Sequence, residues 1–106
     1  MKASKKTKLE SAGWKVGTAQ EFAGLTDAEM ALVRIKQSLA YSLREMRTKE
    51  GLTQTDVAHR LGSSQARVAR MEAADASVSV ELIMNACLVM GATEKSLGKT
   101  IATAGR

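Results

Sequence analysis

Apolar residues recur every three to four positions along most of the chain, which is the spacing of an amphipathic α-helix. The longest such stripe follows a capping-box pair, Thr26 and Glu29, and ends near Gly51. Its members are Met30, Val33 or Leu32, Ile35, Leu39, Leu43 and Met46. At about 1.5 Å per residue this helix would be ~35 Å long, more than a small domain needs for its own core. We therefore expect its first half to serve a second surface.

Shorter helices follow, each preceded by a hydroxyl residue that can cap it. The expected caps are Thr53, Ser63 or Ser64, Ser79 and Thr93, for helices over residues 54–61, 64–73, 80–90 and 94–102. Gly62 and Gly91 are placed to end two of them. The predicted buried positions are Val57, Ala58, Leu61, Val68, Met71, Val80, Leu82, Ile83, Ala86, Leu88 and Met90. No strand pattern competes with this interpretation, so the sequence predicts an all-α fold.

Composition narrows the class of protein. The chain has 106 residues, 44% hydrophobic, 25% charged and 3% aromatic, with no proline, which fits one helical domain. One cysteine, Cys87, and one histidine, His59, exclude an internal disulfide and a Cys- or His-based metal cluster, and no nucleophile–base pair can be assembled. We therefore expect no enzyme activity, no cofactor and no metal. No apolar run is long enough for a membrane span, and a cytoplasmic location is expected.

The net charge of +5 is concentrated near the N-terminus. Residues 1–15 contain five lysines against a single acid, Glu10. We predict a mobile basic tail over residues 1–13, which either only aids solubility or contacts DNA. Residues 14–26 form an expected N-terminal extension, whose Trp14 and Phe22 either pack on the domain or belong to a protein-binding patch. Residues 27–106 are the expected helical domain.

Two short helices joined by a Gly-containing turn have the layout of a helix-turn-helix. The segment TQTDVAHRLGSSQARVARME, residues 53–72, resembles the Xre/Cro/phage-repressor family, and the resemblance extends upstream to Leu39 and downstream to Gly91. It implies a compact five-helix lambda-repressor-like helix-turn-helix domain with an N-terminal extension, the motif lying at residues 54–73. The extension, with Trp14, Phe22 and the Leu25-Thr26 turn, resembles that of HigA-type antitoxins.

The second helix of the motif has an inner and an outer face. With Val68 directed inward, a 100° step per residue puts Ala66 and Arg70 on the opposite side, with Arg67 beside them. Small alanines would let the helix lie close to a DNA groove, where Gln favours adenine and Arg favours guanine, while Arg67 is better placed for phosphate. The predicted DNA-binding residues are Gln54, Ser63, Ser64, Gln65, Ala66, Arg67 and Arg70.

The resemblance also implies a structural ion pair between Arg47 and Glu72. The sequence departs from the family at Ala74, where a glycine is usual, and this leaves the end of the helix open.

These features predict a sequence-specific transcriptional repressor that binds double-stranded DNA as a homodimer on an inverted-repeat operator. Its dimer surface would be either the long helix around Met30, Val33 and Tyr41 or the last two helices. The resemblance further implies an antitoxin that silences a RelE/HigB-like toxin and autoregulates its operon. The alternative is a stand-alone phage-type repressor with no toxin partner.

Overall fold

The computed structural model describes residues 24–104, and these residues form five α-helices and no strand. The helices are α1 (Asp27–Lys49), α2 (Gln54–Leu61), α3 (Gln65–Glu72), α4 (Val80–Val89) and α5 (Glu94–Thr103). The predicted all-α class and the order of the helices are confirmed. Trp14, Phe22 and the predicted basic tail lie outside the described residues.

Helix α1 begins at the predicted capping box. The Glu29 N–H donates to Thr26 Oγ1 at 3.1 Å, and the Thr26 N–H donates to Glu29 Oε1 at 2.8 Å. The two bonds satisfy backbone donors that have no partner inside the helix. The helix is 23 residues long, as its hydrophobic stripe predicted. The chain divides into two units between residues 33 and 34, so the division falls inside α1.

In the second unit, apolar side chains from α1 to α5 meet in one core. Helix α2 packs mainly against α3 and also against α4. The core contains Leu39, Ala40, Leu43, Val57, Ala58, Val68, Met71, Val78, Ile83, Ala86, Cys87, Met90 and Leu97. Burial of each large aliphatic side chain contributes about 1.5–3 kcal/mol relative to full exposure. The core therefore fixes which face of each short helix remains at the surface.

Side-chain caps start each short helix where the sequence predicted them. Thr53, Ser64, Ser79 and Thr93 each accept a hydrogen bond from the backbone N–H three residues on. Ser64, and not Ser63, is the cap of α3, which resolves the alternative left open by the sequence. The motif therefore consists of two eight-residue helices joined by the short turn Gly62–Ser64.

The burial pattern corrects two expectations. Leu88, predicted to be buried in α4, is 42% exposed, because α4 is apolar on most of its circumference and only one side meets the core. Met30, considered for a dimer surface, is 2% exposed, whereas Tyr41, considered with it, is 63% exposed, so the choice between the two predicted dimer surfaces stays open. Of the two alternatives at the next turn, Val33 is half-buried and Leu32 is exposed. Within residues 24–104, no helix combines the length and the apolar character that a bilayer crossing requires.

Candidate nucleic-acid interface

The turn between α2 and α3 is built around Gly62. Gly62 has φ 64° and donates its N–H to the His59 carbonyl, while the Ser63 N–H donates to the Ala58 carbonyl at 2.9 Å. This pair of bonds is a Schellman motif, which needs a left-handed residue just after the helix. Ser64 then begins α3, with its Oγ accepting from the Arg67 N–H at 3.2 Å. These bonds mark where α2 ends and where α3 begins.

Helix α3 has the two faces that the sequence predicted. Val68 and Met71 are 0% and 1% exposed, and they hold the helix on the core. The outward residues Gln65, Ala66, Arg67, Arg70 and Ala73 are all exposed, while Ala69 is half-buried. The exposed face therefore combines one amide and two guanidinium groups with small alanines.

The N-terminus of α2 is fixed by a second capping box. The Asp56 N–H donates to Thr53 Oγ1 at 3.0 Å, and the Thr53 N–H donates to Asp56 Oδ2 at 2.8 Å. Hydrogen bonds to the Asp56 carboxylate, first from the Thr53 backbone N–H and then from the Thr53 side chain, lower the pKa of Asp56, because they stabilise its charged form. Gln54 is the first residue of α2, and its side chain contacts Gln65, the first residue of α3.

Arg47 and Glu72 lie in contact, with both side chains largely withdrawn from solvent. Arg47 Nε donates to Glu72 Oε2 at 2.6 Å and Nη2 donates to Oε1 at 3.0 Å, which is a bidentate pair. The side chains are 14% and 5% exposed. Hydrogen bonding to Glu72 raises the pKa of Arg47. Arg47 Nη1 also donates to the Leu52 carbonyl at 3.0 Å, so one guanidinium ties α3 to α1 and to the loop before α2.

Gln54 connects this ion pair to the exposed face of α3, and this link was missed by the sequence analysis. Gln54 Nε2 donates to Glu72 Oε1 at 3.1 Å, and Gln54 Oε1 accepts from Gln65 Nε2 at 2.7 Å. The residues are 18 and 11 positions apart in sequence. Only the packing of α2 on α3 brings them together, so no local pattern signals the contact.

Of the remaining predicted site residues, Ser63 and Ser64 have different environments. Ser64 is exposed at the start of α3, while Ser63 is half-buried in the turn, with its N–H engaged by the Schellman motif. The fold thus exposes four of the predicted residues at α3: Ser64, Gln65, Arg67 and Arg70. Ser63 precedes them in the turn, with its backbone N–H bonded to α2. Arg47 and Glu72 are largely withdrawn from solvent and are not part of this exposed set.

Metal-ligating side chains do not cluster in the described part of the chain. Among residues 24–104, no group of three or more His, Cys, Asp or Glu side chains is arranged to hold a metal ion. Cys87 is 0% exposed, and burial raises the pKa of its thiol to about 11. Its Sγ donates weakly to the Leu39 carbonyl at 3.6 Å.

The fold and the exposed face of α3 define a helix-turn-helix module. The comparison with protein families agrees: residues 38–97, more than half of the chain, match the family described as "Helix-turn-helix domain", and the chain belongs to that family. The match begins inside α1 and covers α2, α3 and α4 in full. Comparison with curated proteins and with solved structures gave no match.

Proposed function

We propose that this chain is a sequence-specific transcriptional repressor of the Xre type, which inserts α3 into the major groove of double-stranded DNA. The observation that carries the proposal is the division of α3 into two faces. Val68 and Met71 anchor the helix, while Gln65 and Arg70 stand exposed among alanines. An amide can pair with the acceptor and the donor that adenine presents in the major groove, and a guanidinium can pair with the two acceptors of guanine.

The individual residues take distinct roles in this proposal. Gln65 and Arg70 read base edges, Ala66 permits close approach, and Arg67 binds phosphate. Ser64 and the backbone around Ser63 lie where the α3 N-terminus, with its positive dipole end, faces a phosphate. Gln54 holds the α2 N-terminus close to the backbone of the duplex. Phosphate contacts fix the register, while base contacts carry the sequence preference.

Selection of bound DNA from a random duplex pool tests this function. The wild-type chain should enrich one short motif, and Arg70→Ala should remove the preference at one or two of its positions and weaken binding to the selected site about tenfold. Lys99→Ala is the matched control, since Lys99 is an exposed cation on α5, outside the helix-turn-helix. Equal affinity of Arg70→Ala and wild type for the selected site would show that the groove face is assigned wrongly.

We further propose that the chain acts as a homodimer on an inverted repeat. One recognition helix reads only a few base pairs, and a twofold axis doubles the contacts. Leu88 and Val89 are 42% and 46% exposed at the end of α4, and Leu88→Ser and Val89→Ser are the first variants to test as interface residues. Sedimentation should show a dimer for the wild-type chain, and a monomeric chain bound to a single half-site would contradict the proposal.

A second proposed role is that of an antitoxin that silences a RelE/HigB-like toxin and represses its own operon. It is supported by the first eleven residues of α1, residues 27–37, which precede the family match and belong to a helix longer than that match requires. Co-expression with the product of a neighbouring toxin-like gene tests it: growth should be rescued and the two chains should co-purify. If growth is not rescued and no neighbouring gene product co-purifies, the result favours the alternative, a stand-alone phage-type repressor.

A further inference from the structure

We propose that Glu72 is a positioning residue that fixes the base preference of the helix-turn-helix by setting the direction of two glutamine amides. This inference rests on the proposed function and deepens it. The path runs from Glu72 through Gln54 to Gln65, over bonds of 3.1 Å and 2.7 Å. Glu72 never touches the DNA in this proposal, since its side chain is 5% exposed and is held by Arg47.

The direction of the path follows from the chemistry of a carboxylate. A carboxylate only accepts hydrogen bonds, so Gln54 must turn its Nε2 toward Glu72. The Gln54 Oε1 then faces the other way, toward Gln65. Because that oxygen also only accepts, Gln65 must offer an N–H of its Nε2. The buried charge therefore determines the orientation of an exposed amide two hydrogen bonds away.

The orientation of Gln65 decides which base it fits. One N–H of Gln65 Nε2 is used by Gln54, which leaves one N–H and the Oε1 for a ligand. Adenine offers one acceptor, N7, and one donor, the N6 amino group, in the major groove. Guanine offers two acceptors, N7 and O6, and its O6 would face the Gln65 oxygen. The held amide therefore favours adenine and rejects guanine, while a rotated amide presenting two N–H groups would accept guanine.

Three variants separate this role from the structural role of the ion pair. Gln54→Met removes the middle of the path at a half-buried position. Glu72→Gln keeps an oxygen for Arg47 but introduces a donor that lets Gln54 turn around. Arg47→Lys keeps the cation and loses the bidentate pair, and it leaves the Glu72 carboxylate facing Gln54. The readout is the ratio of adenine to guanine at the motif position that becomes indifferent in Gln65→Ala, in the random-pool selection above.

The expected result is a ratio that falls about tenfold in Gln54→Met and Glu72→Gln and stays within about twofold of wild type in Arg47→Lys. All chains are first checked for folding by urea unfolding; if Glu72→Gln does not fold, the double variant Arg47→Met/Glu72→Met takes its place, since it removes the carboxylate and leaves no unpaired charge. An unchanged ratio in Gln54→Met or in the Glu72 variant overturns the inference, as does an equal fall in Arg47→Lys or a Gln65→Ala chain that keeps every base preference. A wild-type chain that enriches no motif refutes the proposed function itself.

Discussion

Ala74 follows α3 in a left-handed conformation, with φ 52°, which costs an L-residue other than glycine about 1–2 kcal/mol. Its N–H donates to the Met71 carbonyl and the Asp75 N–H donates to the Arg70 carbonyl, so α3 ends in the same Schellman motif that ends α2 at Gly62. Ala74 stands where the family resemblance implied a glycine, and it keeps the Schellman geometry with a strained backbone. Lys36 Nζ donates to the Asp75 carbonyl at 2.7 Å and helps to hold this loop.

Ala74→Gly should raise the free energy of unfolding by about 0.5–1 kcal/mol, because the relief of strain exceeds the loss of one half-buried methyl group. Gly62→Ala is the reverse change at the equivalent position, and a Cβ there meets nothing within 4 Å, so its cost is conformational. It should lower the free energy of unfolding by about 1 kcal/mol. Urea unfolding measures both; a less stable Ala74→Gly chain would contradict the assignment of strain.

Cys87 should resist modification in the folded chain. The side chain is 0% exposed and its thiol has a pKa raised to about 11, so both access and the thiolate fraction are low near pH 8. Labelling by an aromatic disulfide reagent at pH 8 should be at least about a hundredfold slower in buffer than in concentrated urea. Equal rates in the two solutions would show that the α4 face carrying Cys87 opens readily.

At the scale of elements, the sequence predicted the helices well and the side-chain links poorly. Caps and glycines are local signals, so the bounds of α2 followed from Thr53 and Gly62, and the start of α3 was fixed to within one residue. The inward direction of Val68 followed from the helical spacing, while the end of α3 was left open at Ala74. The exposure of Leu88 did not, because α4 has apolar residues on most sides and periodicity then gives no direction. The Gln54–Glu72 contact also depends on how two helices pack, which no local pattern encodes.

The Arg47–Glu72 pair joins α1, α3 and the loop before α2, so its removal should lower the stability of the fold. Arg47→Met should lower the free energy of unfolding by about 3 kcal/mol, because Glu72 is left charged and withdrawn from solvent. The double variant Arg47→Met/Glu72→Met should recover a large part of that loss, since no unpaired charge remains. Arg60→Met is the control: its pair with Glu50 is 3.5 Å long with both side chains about half exposed, and it should cost less than about 1 kcal/mol. Additive losses for the first pair would refute the coupling.

At the scale of the whole molecule, most of the positive charge lies outside the helix-turn-helix. Between Arg47 and Glu72 there are five basic and three acidic residues, but Arg47 is paired with Glu72 and Arg60 with Glu50. Arg67 and Arg70 are exposed on α3. The net charge of +5 thus overstates what the helix-turn-helix presents, because residues 1–15 hold most of it. Within α2 and α3, the exposed cations outside the two ion pairs are therefore Arg67 and Arg70, on one helix.

Two carboxylates, one in the first turn of α2 and one just after α3, should make the stability of the fold depend on pH in acid. Hydrogen bonds from Thr53 lower the pKa of Asp56, and those from Ser77 lower the pKa of Asp75. A carboxyl whose pKa is lower in the folded than in the unfolded chain stabilises the fold above its unfolded pKa of about 3.9. That stability is lost as the pH falls from about 5 through the folded pKa, because the unfolded chain then binds more protons.

The urea midpoint of the wild-type chain should therefore be flat near neutrality and fall steadily below about pH 4.5. In Asp56→Asn/Asp75→Asn the midpoint should be lower at pH 7 and should change less between pH 5 and about 2.5, because two of the groups that take up protons are gone. Ser77→Ala keeps the Asp75 carboxylate but removes one of its donors, so the acid-dependent fall should shrink by part of the amount seen in the double variant. Parallel pH profiles for all three chains would show that other carboxylates govern the acid limit. Because Asp56 holds the start of α2 and Asp75 the loop after α3, acid should first loosen the two ends of the helix-turn-helix.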